Sequence, residues 1–323
     1  MGYTISEMNG NDEENAAVRP YRAFGDYLKE KYGCKVYKAT IDAGFTCPNR
    51  DGTLGAGGCI FCNNRGFNPN SRGPRIGVRE QVAQGMEHLR KRYKAEKFIA
   101  YFQAYTNTYG PVEKLEKLYR EALEPPKVVA LSVGTRPDCC GDDVAALLGS
   151  LAVEREVWVE LGLQSVHDST LERINRRHDF KTFVDAVRRI RNYPGIKICA
   201  HIILGLPGET GEMMLDSADA LSDLGIDGVK IHLLHILKDT ELEKMFLRGE
   251  VKVFDFTTYV NLVCDYLERL NPEMVIQRLT ADAPSNILVA PKWAIEKKRT
   301  LDRIEKELLR RGTRQGLNRI GKG

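Results

Sequence analysis

The chain has 323 residues, 28% of them charged and 42% hydrophobic, with a formal net charge of +4. That length suits one large α/β domain or two ordinary ones, and the composition is that of a soluble globular protein. No apolar run approaches the roughly 18 residues needed to span a membrane, and the N-terminus lacks a secretory signal. Eight cysteines at irregular spacing do not make a disulfide framework, so a reducing, cytoplasmic setting is expected. The charge is uneven. From Lys292 to Gly323 there are eleven Lys/Arg against four Asp/Glu, so a polyanion, if bound, should meet the C-terminal end.

Residues 1–18 are polar, acidic and without period, and read as a mobile terminus. A helix is expected from Tyr21 to Tyr32, stopped by Gly33. Lys35–Ile41 alternates and is β-branched, which predicts a strand. Further strands are expected at Phe98–Gln103, Val128–Val133, Val157–Leu161, Lys197–Leu204, Gly228–His232 and near Met274–Arg278. Helical patterns lie between them at Val78–Tyr93, Val112–Leu123, Asp142–Leu151, Lys181–Asn192 and Glu212–Leu224. Most of the strands are short continuous apolar runs, as in a parallel sheet covered on both faces. The alternation fits a (β/α) part-barrel or a doubly wound open sheet, and pattern alone does not separate them. The chain then divides into the mobile segment 1–18, a core domain 19–284 and a basic helical extension 285–323. In that extension Trp293 to Arg310 reads as one amphipathic helix.

In either architecture ligands sit beyond the carboxyl ends of the strands. There, after the first strand, comes Cys47-Pro-Asn-Arg-Asp-Gly-Thr-Leu-Gly-Ala-Gly-Gly-Cys59-Ile-Phe-Cys62. Three thiols on one glycine-rich loop are a metal-site signature. A structural zinc wants a fourth ligand. Cys34 lies before the strand, roughly 20–25 Å away at about 3.3 Å per residue, and no histidine falls between Phe45 and Arg75. Three ligands on a four-iron cluster leave one iron open to a small molecule, and that reading fits better.

Cys59-Ile-Phe-Cys62 resembles half of the radical S-adenosylmethionine (SAM) signature. The eleven residues between the first two cysteines resemble the subgroup related to the Elongator catalytic subunit. The likeness is carried further by Ala43–Thr53, Thr135–Cys139, Glu160–Ser165, Arg173–Arg176 and Gly205–Thr210. It spans about Tyr21 to Pro284 and is strongest for the small bacterial members. It implies a partial (β/α)6 barrel of the radical SAM type, with an N-terminal helix and the basic extension. It also implies a 4Fe-4S cluster on Cys47, Cys59 and Cys62, with SAM on the open iron.

The resemblance places Phe61 near the adenine and the Gln103–Thr106 backbone near the methionine amino group. Gln164 and Ser165 fall where the family holds ribose or carboxylate, with Glu160 an alternative ion-pair partner inside the barrel. Ile203-Leu-Gly205 resembles the fifth-strand adenine contact, and of His232 and His235, at the end of the sixth strand, one is expected to approach adenine or substrate. Arg176, Arg177 and His178 are candidates for a carboxylate or phosphate. Cys139, Cys140, Cys199 and Cys264 read as ordinary buried thiols. Tyr105 and Tyr109 are candidates for base stacking. The implied activity is radical modification of the C5 side chain of tRNA wobble uridine, from carboxymethylaminomethyl to aminomethyl. An acetyl transfer in the same polypeptide is not expected, for want of an acetyltransferase domain after the barrel. Partners would be tRNA, through the basic extension, and an electron donor such as flavodoxin or ferredoxin. The alternatives are a small metabolite or peptide substrate, or a non-catalytic iron–sulfur or zinc RNA-binding protein.

Overall fold

The computed structural model describes residues 19–63, 76–280 and 283–319; the mobile segment expected at 1–18 lies outside the described residues. Helix α1 (Phe24–Tyr32) ends on Gly33, whose φ of 67° forms a left-handed cap, and leads into strand β1 (Val36–Ile41). The chain then alternates through α2 (Val78–Tyr93), β2 (Lys97–Phe102), α3 (Val112–Leu123), β3 (Val128–Thr135), α4 (Asp142–Glu154) and β4 (Glu156–Gln164). It continues with a short α5 (Asp168–Arg173), α6 (Phe180–Arg191), β5 (Ile196–Leu204), α7 (Gly211–Asp223) and β6 (Gly228–Leu233). Last come the two-residue β7 (Ile236–Leu237), α8 (Glu241–Leu247), α9 (Phe256–Arg269), β8 (Val275–Arg278), β9 (Leu288–Ala290) and α10 (Lys297–Arg311).

Seven strands form one parallel sheet in the order β1-β2-β3-β4-β5-β6-β8. A doubly wound sheet reverses strand order near its middle; this order never reverses, so the sheet is a curled part-barrel. Its two edge strands approach each other inside: Lys38 Nζ on β1 donates to Gln277 Oε1 on β8 at 2.8 Å. The outer edge of β8 is covered by a parallel bridge from Ala23 to Ile276, which removes a free edge.

Every second residue of a strand points inward, so the interior is built in layers. The lowest holds Val36, Ile99, Ala130, Trp158, Cys199 and Val275 in one apolar cluster, sealed from below by Tyr27 and Leu28 of α1. Two residues further along six of the strands come Lys38, Tyr101, Ser132, Glu160, His201 and Lys230, a polar layer. Two further still come Gln103, Gly134, Gly162, Ile203 and His232, which line a cavity. Gly134 and Gly162 contribute no side chain to that third layer, and the space stays open.

The tail departs from the single helix expected over Trp293–Arg310. A 3-10 turn (Lys292–Ile295) is separated from α10 by Glu296, whose φ of −88° and ψ of 55° are not helical. β9 pairs antiparallel with β7 beside the end of β6, while Gln315, beyond α10, bonds to Arg22 N and Met274 O. The extension therefore starts at the strands' carboxyl ends and finishes at their amino ends. Ile304 and Leu308 are fully buried in the main core.

Candidate active site

The cysteine loop leaves the carboxyl end of β1 and is tied down on every side. Thr106 N donates to Thr46 O at 3.1 Å, and the Thr53 and Tyr109 hydroxyls meet at 2.9 Å. Asn175, in the left-handed region at φ 55°, donates through Nδ2 to Gly58 O at 2.8 Å. Ile60 N donates to Ile174 O at 3.1 Å, and Ile60 O accepts from Leu242 N at 2.9 Å. Cys47, Cys59 and Cys62 are all brought to the wall of one cavity of about 290 Å³, about ten times the ~30 Å³ share of a water molecule. Cys34 sits among Val36 and Tyr27 at the opposite end of β1.

Cys59 has two nitrogen donors close to its sulfur, Asn49 Nδ2 at 3.6 Å and Arg176 Nη1 at 3.7 Å. Donors to a cysteine sulfur suit a thiolate that ligates iron. The three sulfurs do not close on one point: among the described residues no three His, Cys, Asp or Glu side chains are arranged to hold a single metal ion. Elsewhere in the cavity Arg136 Nη1, Arg176 Nε and His232 Nε2 are buried without a hydrogen-bond partner. Such polar atoms call for a polar occupant. The donor set thus fits a cluster on three thiolates beside a polar ligand.

Of the residues expected to hold SAM, Phe61, Gln103, Gln164 and His232 line the cavity. Phe61 and Ile203 belong to one apolar cluster and give the cavity a greasy side. Ala104, Tyr105 and Gln164 have φ of 84°, 59° and 80°, conformations rare for residues with a side chain and often found at functional sites. Here they turn the ends of β2 and β4 across the cavity mouth. Ser165 and Gly205 are not brought to the cavity. The Ser165 hydroxyl donates to Glu209 and accepts from His167 N at 3.1 Å. Gly205, at φ 97°, leaves room for the Phe254 ring, which a Cβ there would meet at 3.0 Å. Of the basic trio, Arg176 is buried in the cavity wall, Arg177 is exposed, and His178 is half-buried.

The polar layer beneath was only partly read from sequence, through Glu160. Glu160 is fully buried and accepts from Lys38 Nζ (2.5 Å), Ser132 Oγ (2.7 Å), Tyr101 OH (2.9 Å), His201 Nε2 (3.0 Å) and Lys230 Nζ. Burial would raise its pKa, but the Lys230 and Lys38 ammoniums override this and hold it well below the ordinary value. Burial pushes Lys230 down to about 7 against the pull of Glu160, and His201 down to about 4. Lys38, Tyr101, His201, Lys230 and Arg278 were missed. Their signal was a charged or hydrogen-bonding residue interrupting an apolar strand.

The amino-end mouth of the barrel also carries a broad cleft, near Lys31, Glu156, Arg191, Lys197 and Asp227. Its charges pair with one another, Lys31 with Glu156 and both Arg191 and Lys197 with Asp227, so it presents no comparable demand for a ligand.

The Radical SAM superfamily profile matches residues 47–245, and the Radical_SAM C-terminal domain profile matches 226–310. YtqA of Bacillus subtilis (strain 168), an uncharacterized protein, is 43% identical over 296 residues, 92% of either chain. A tRNA uridine(34) acetyltransferase of Methanocaldococcus jannaschii is 30% identical over 182 residues, 55% of this chain and 32% of that one. Among solved structures, the archaeal Methanocaldococcus infernus Elp3 with an N-terminal deletion superposes with a TM-score of 0.67 at 20% identity. That likeness covers 87% of this chain and 64% of that one, and shows a shared fold. Among the described residues no helix is long and apolar enough to cross a membrane. The chain belongs to the radical SAM superfamily of enzymes.

Proposed function

We propose that this enzyme acts on the C5 side chain of tRNA wobble uridine, taking carboxymethylaminomethyl-uridine to aminomethyl-uridine. In this reading Cys47, Cys59 and Cys62 hold a 4Fe-4S cluster and SAM completes its coordination. The observation that carries the chemistry is the placement of three cysteines, two of them flanking Phe61, on the wall of one cavity with Asn49 and Arg176 directed at a sulfur. The tRNA assignment draws support from the named activity of the M. jannaschii relative and from the basic extension. The chemistry supplied by cluster and SAM together is one-electron cleavage of the sulfonium to methionine and a 5′-deoxyadenosyl radical, the hydrogen acceptor for the substrate.

The chain's own residues bind, orient and exclude water. Asn49 and Arg176 place hydrogen-bond donors on Cys59, which would tune the potential of a cluster held there. Phe61 and Ile203 provide an apolar face for the adenine. The backbone at Gln103 and the strained Ala104 and Tyr105 offers the methionine amino group its acceptors, and Gln164 and His232 are within the same wall. The electron is assigned to a flavodoxin or ferredoxin.

Anaerobic reconstitution with iron, sulfide, dithionite and SAM tests the reading, with 5′-deoxyadenosine as the product to be measured. Failure to form it would sink the radical assignment. Cys47→Ala, Cys59→Ala and Cys62→Ala should each bind little iron and form no 5′-deoxyadenosine while keeping the helical circular dichroism of the parent. Mass spectrometry of tRNA nucleosides from a deletion strain tests the substrate. An unchanged wobble-uridine profile there removes the tRNA proposal.

A further inference from the structure

The cavity is lined by five cations, Arg50, Arg136, Arg176, Lys230 and Arg278, and one acid, Glu160. Four of the cations already have partners, although Arg136 Nη1 and Arg176 Nε remain without one. Arg136 grips Asp138 through two 2.8 Å bonds. Arg176 holds Gly162 O at 2.5 Å and points at Cys59. Arg50 reaches Gly57 O at 3.2 Å and Cys62 O at 3.4 Å. Lys230 is bonded to Glu160 and, at 3.0 Å, to Tyr101. Arg278 is different: its guanidinium makes no hydrogen bond or ion pair with a described residue. Its neighbours are Lys230, opposite it in the sheet, and His232, whose buried Nε2 has no partner. No nitrogen of Arg278 is among the buried unpartnered atoms, so its guanidinium is accessible from the cavity, a charge-assisted donor open to an incoming anion.

The backbone delivers Arg278 there by a register change. Gly228 pairs with Val275 and Val229 with Ile276, but Lys230 pairs with Arg278, so Gln277 is an extra residue on β8. Bulges of this kind re-aim side chains beside active sites. The outcome is that Gln277 reaches Lys38 inside the barrel while Arg278 lines the cavity.

We infer that Arg278, with His232 beside it, is an anion-recognition point that receives a carboxylate carried by the substrate. This deepens the wobble-uridine reading and rests on it for the identity of that substrate, whose carboxymethyl group ends in such a carboxylate. A planar guanidinium takes a carboxylate through two parallel N–H···O bonds, a geometry an amide cannot match. SAM also carries a carboxylate, so the test separates the two sources.

The full-length, cluster-loaded enzyme with SAM is titrated with anticodon stem-loops bearing carboxymethylaminomethyl-uridine or its carboxamide. The acid should bind at least tenfold more tightly than the amide, Arg278→Gln should erase that preference, and Arg278→Lys should restore part of it. In parallel, butanedione modification of Arg278 is followed by peptide mass mapping, with N-methylglycine and N-methylglycinamide as probes. N-methylglycine should slow the modification severalfold and the amide should not. Equal binding of acid and amide overturns the proposal. So does an Arg278→Gln enzyme that loses SAM affinity tenfold, because the guanidinium then serves the cofactor. If neither stem-loop binds but N-methylglycine alone protects Arg278, the uridine reading falls and the carboxylate site stands. If neither stem-loop binds and both probes act alike, both fall.

Discussion

Glu160 draws side chains from five strands to one carboxylate: Lys38 on β1, Tyr101 on β2, Ser132 on β3, His201 on β5 and Lys230 on β6. Replacing it with glutamine keeps the shape but leaves two ammoniums without their counter-charge. Breaking a buried pair in this way costs about 3–5 kcal/mol, so Glu160→Gln should lose roughly that much in urea denaturation at neutral pH. The sign with pH follows from linkage. The folded-state pKa of Glu160 lies well below 4.5, so its stabilisation is fully present above about pH 4.5 and drains away as pH falls through the folded value. The gap between parent and variant should therefore narrow on acidification; a gap that stays constant from pH 7 to 3 would contradict the ionised hub. Such residues were legible in part. A lysine at the centre of Val36-Tyr-Lys-Ala-Thr-Ile or of Gly228-Val-Lys-Ile-His-Leu breaks an apolar strand, which marks an inward polar site. The partners were not legible, because five strands far apart in sequence have to curl before Glu160 can collect them.

At the level of elements, the alternation of apolar runs with 3.6-period segments was enough to position the strands and most of the helices around them. α2 and α3 run over Val78–Tyr93 and Val112–Leu123, as the amphipathic pattern predicts. α9 (Phe256–Arg269) was not read as a helix because nearly all of its faces are buried and it is rich in aromatic and β-branched residues. Its one clear signal was Asp255, which caps Thr257 N and Thr258 N at 2.9 and 3.0 Å. The choice between barrel and open sheet was not legible, since strand order is a long-range property. Gly205, just past the end of β5, is a motif residue that the structure sets against the Phe254 ring. Its φ of 97° and the Phe254 ring 3.0 Å from a Cβ make Gly205→Ala strained twice over, by about 1–3 kcal/mol for the backbone alone. The expected outcome is a lowered urea midpoint, with SAM affinity per folded molecule held near the parent's. A variant with parental stability and a tenfold weaker SAM Kd would return Gly205 to the cofactor.

At the scale of the whole molecule, the basic tail carries less usable charge than its composition implies. Arg299 pairs with Glu296, Arg303 and Arg310 with Glu307, and Arg319 with Asp219 and Asp223. Arg311 is tied to Asp265, Glu268 and Glu307, which fastens α10 to α9 and makes it structural. Sequence counting could not see this, because several of the acids lie outside the tail. Lys298, Lys306 and Arg314 are exposed and make no ion pair with a described residue. Because α10 starts beside the strands' carboxyl ends, Lys298 at its start is nearest the cavity side, with Lys306 past the helix middle and Arg314 at the far end. Exposed cations free to meet phosphate release counterions and steepen the salt dependence of binding, by close to one unit of log–log slope per contact. Lys298→Glu with Lys306→Glu should weaken tRNA binding at low salt and reduce that slope by about two, whereas Arg310→Glu, already paired, should change the slope by less than one. Binding measured by filter retention between about 50 and 200 mM salt decides the matter. If the double variant keeps the parental slope, the extension is a structural brace for the barrel and the RNA binding that is measured runs through another surface.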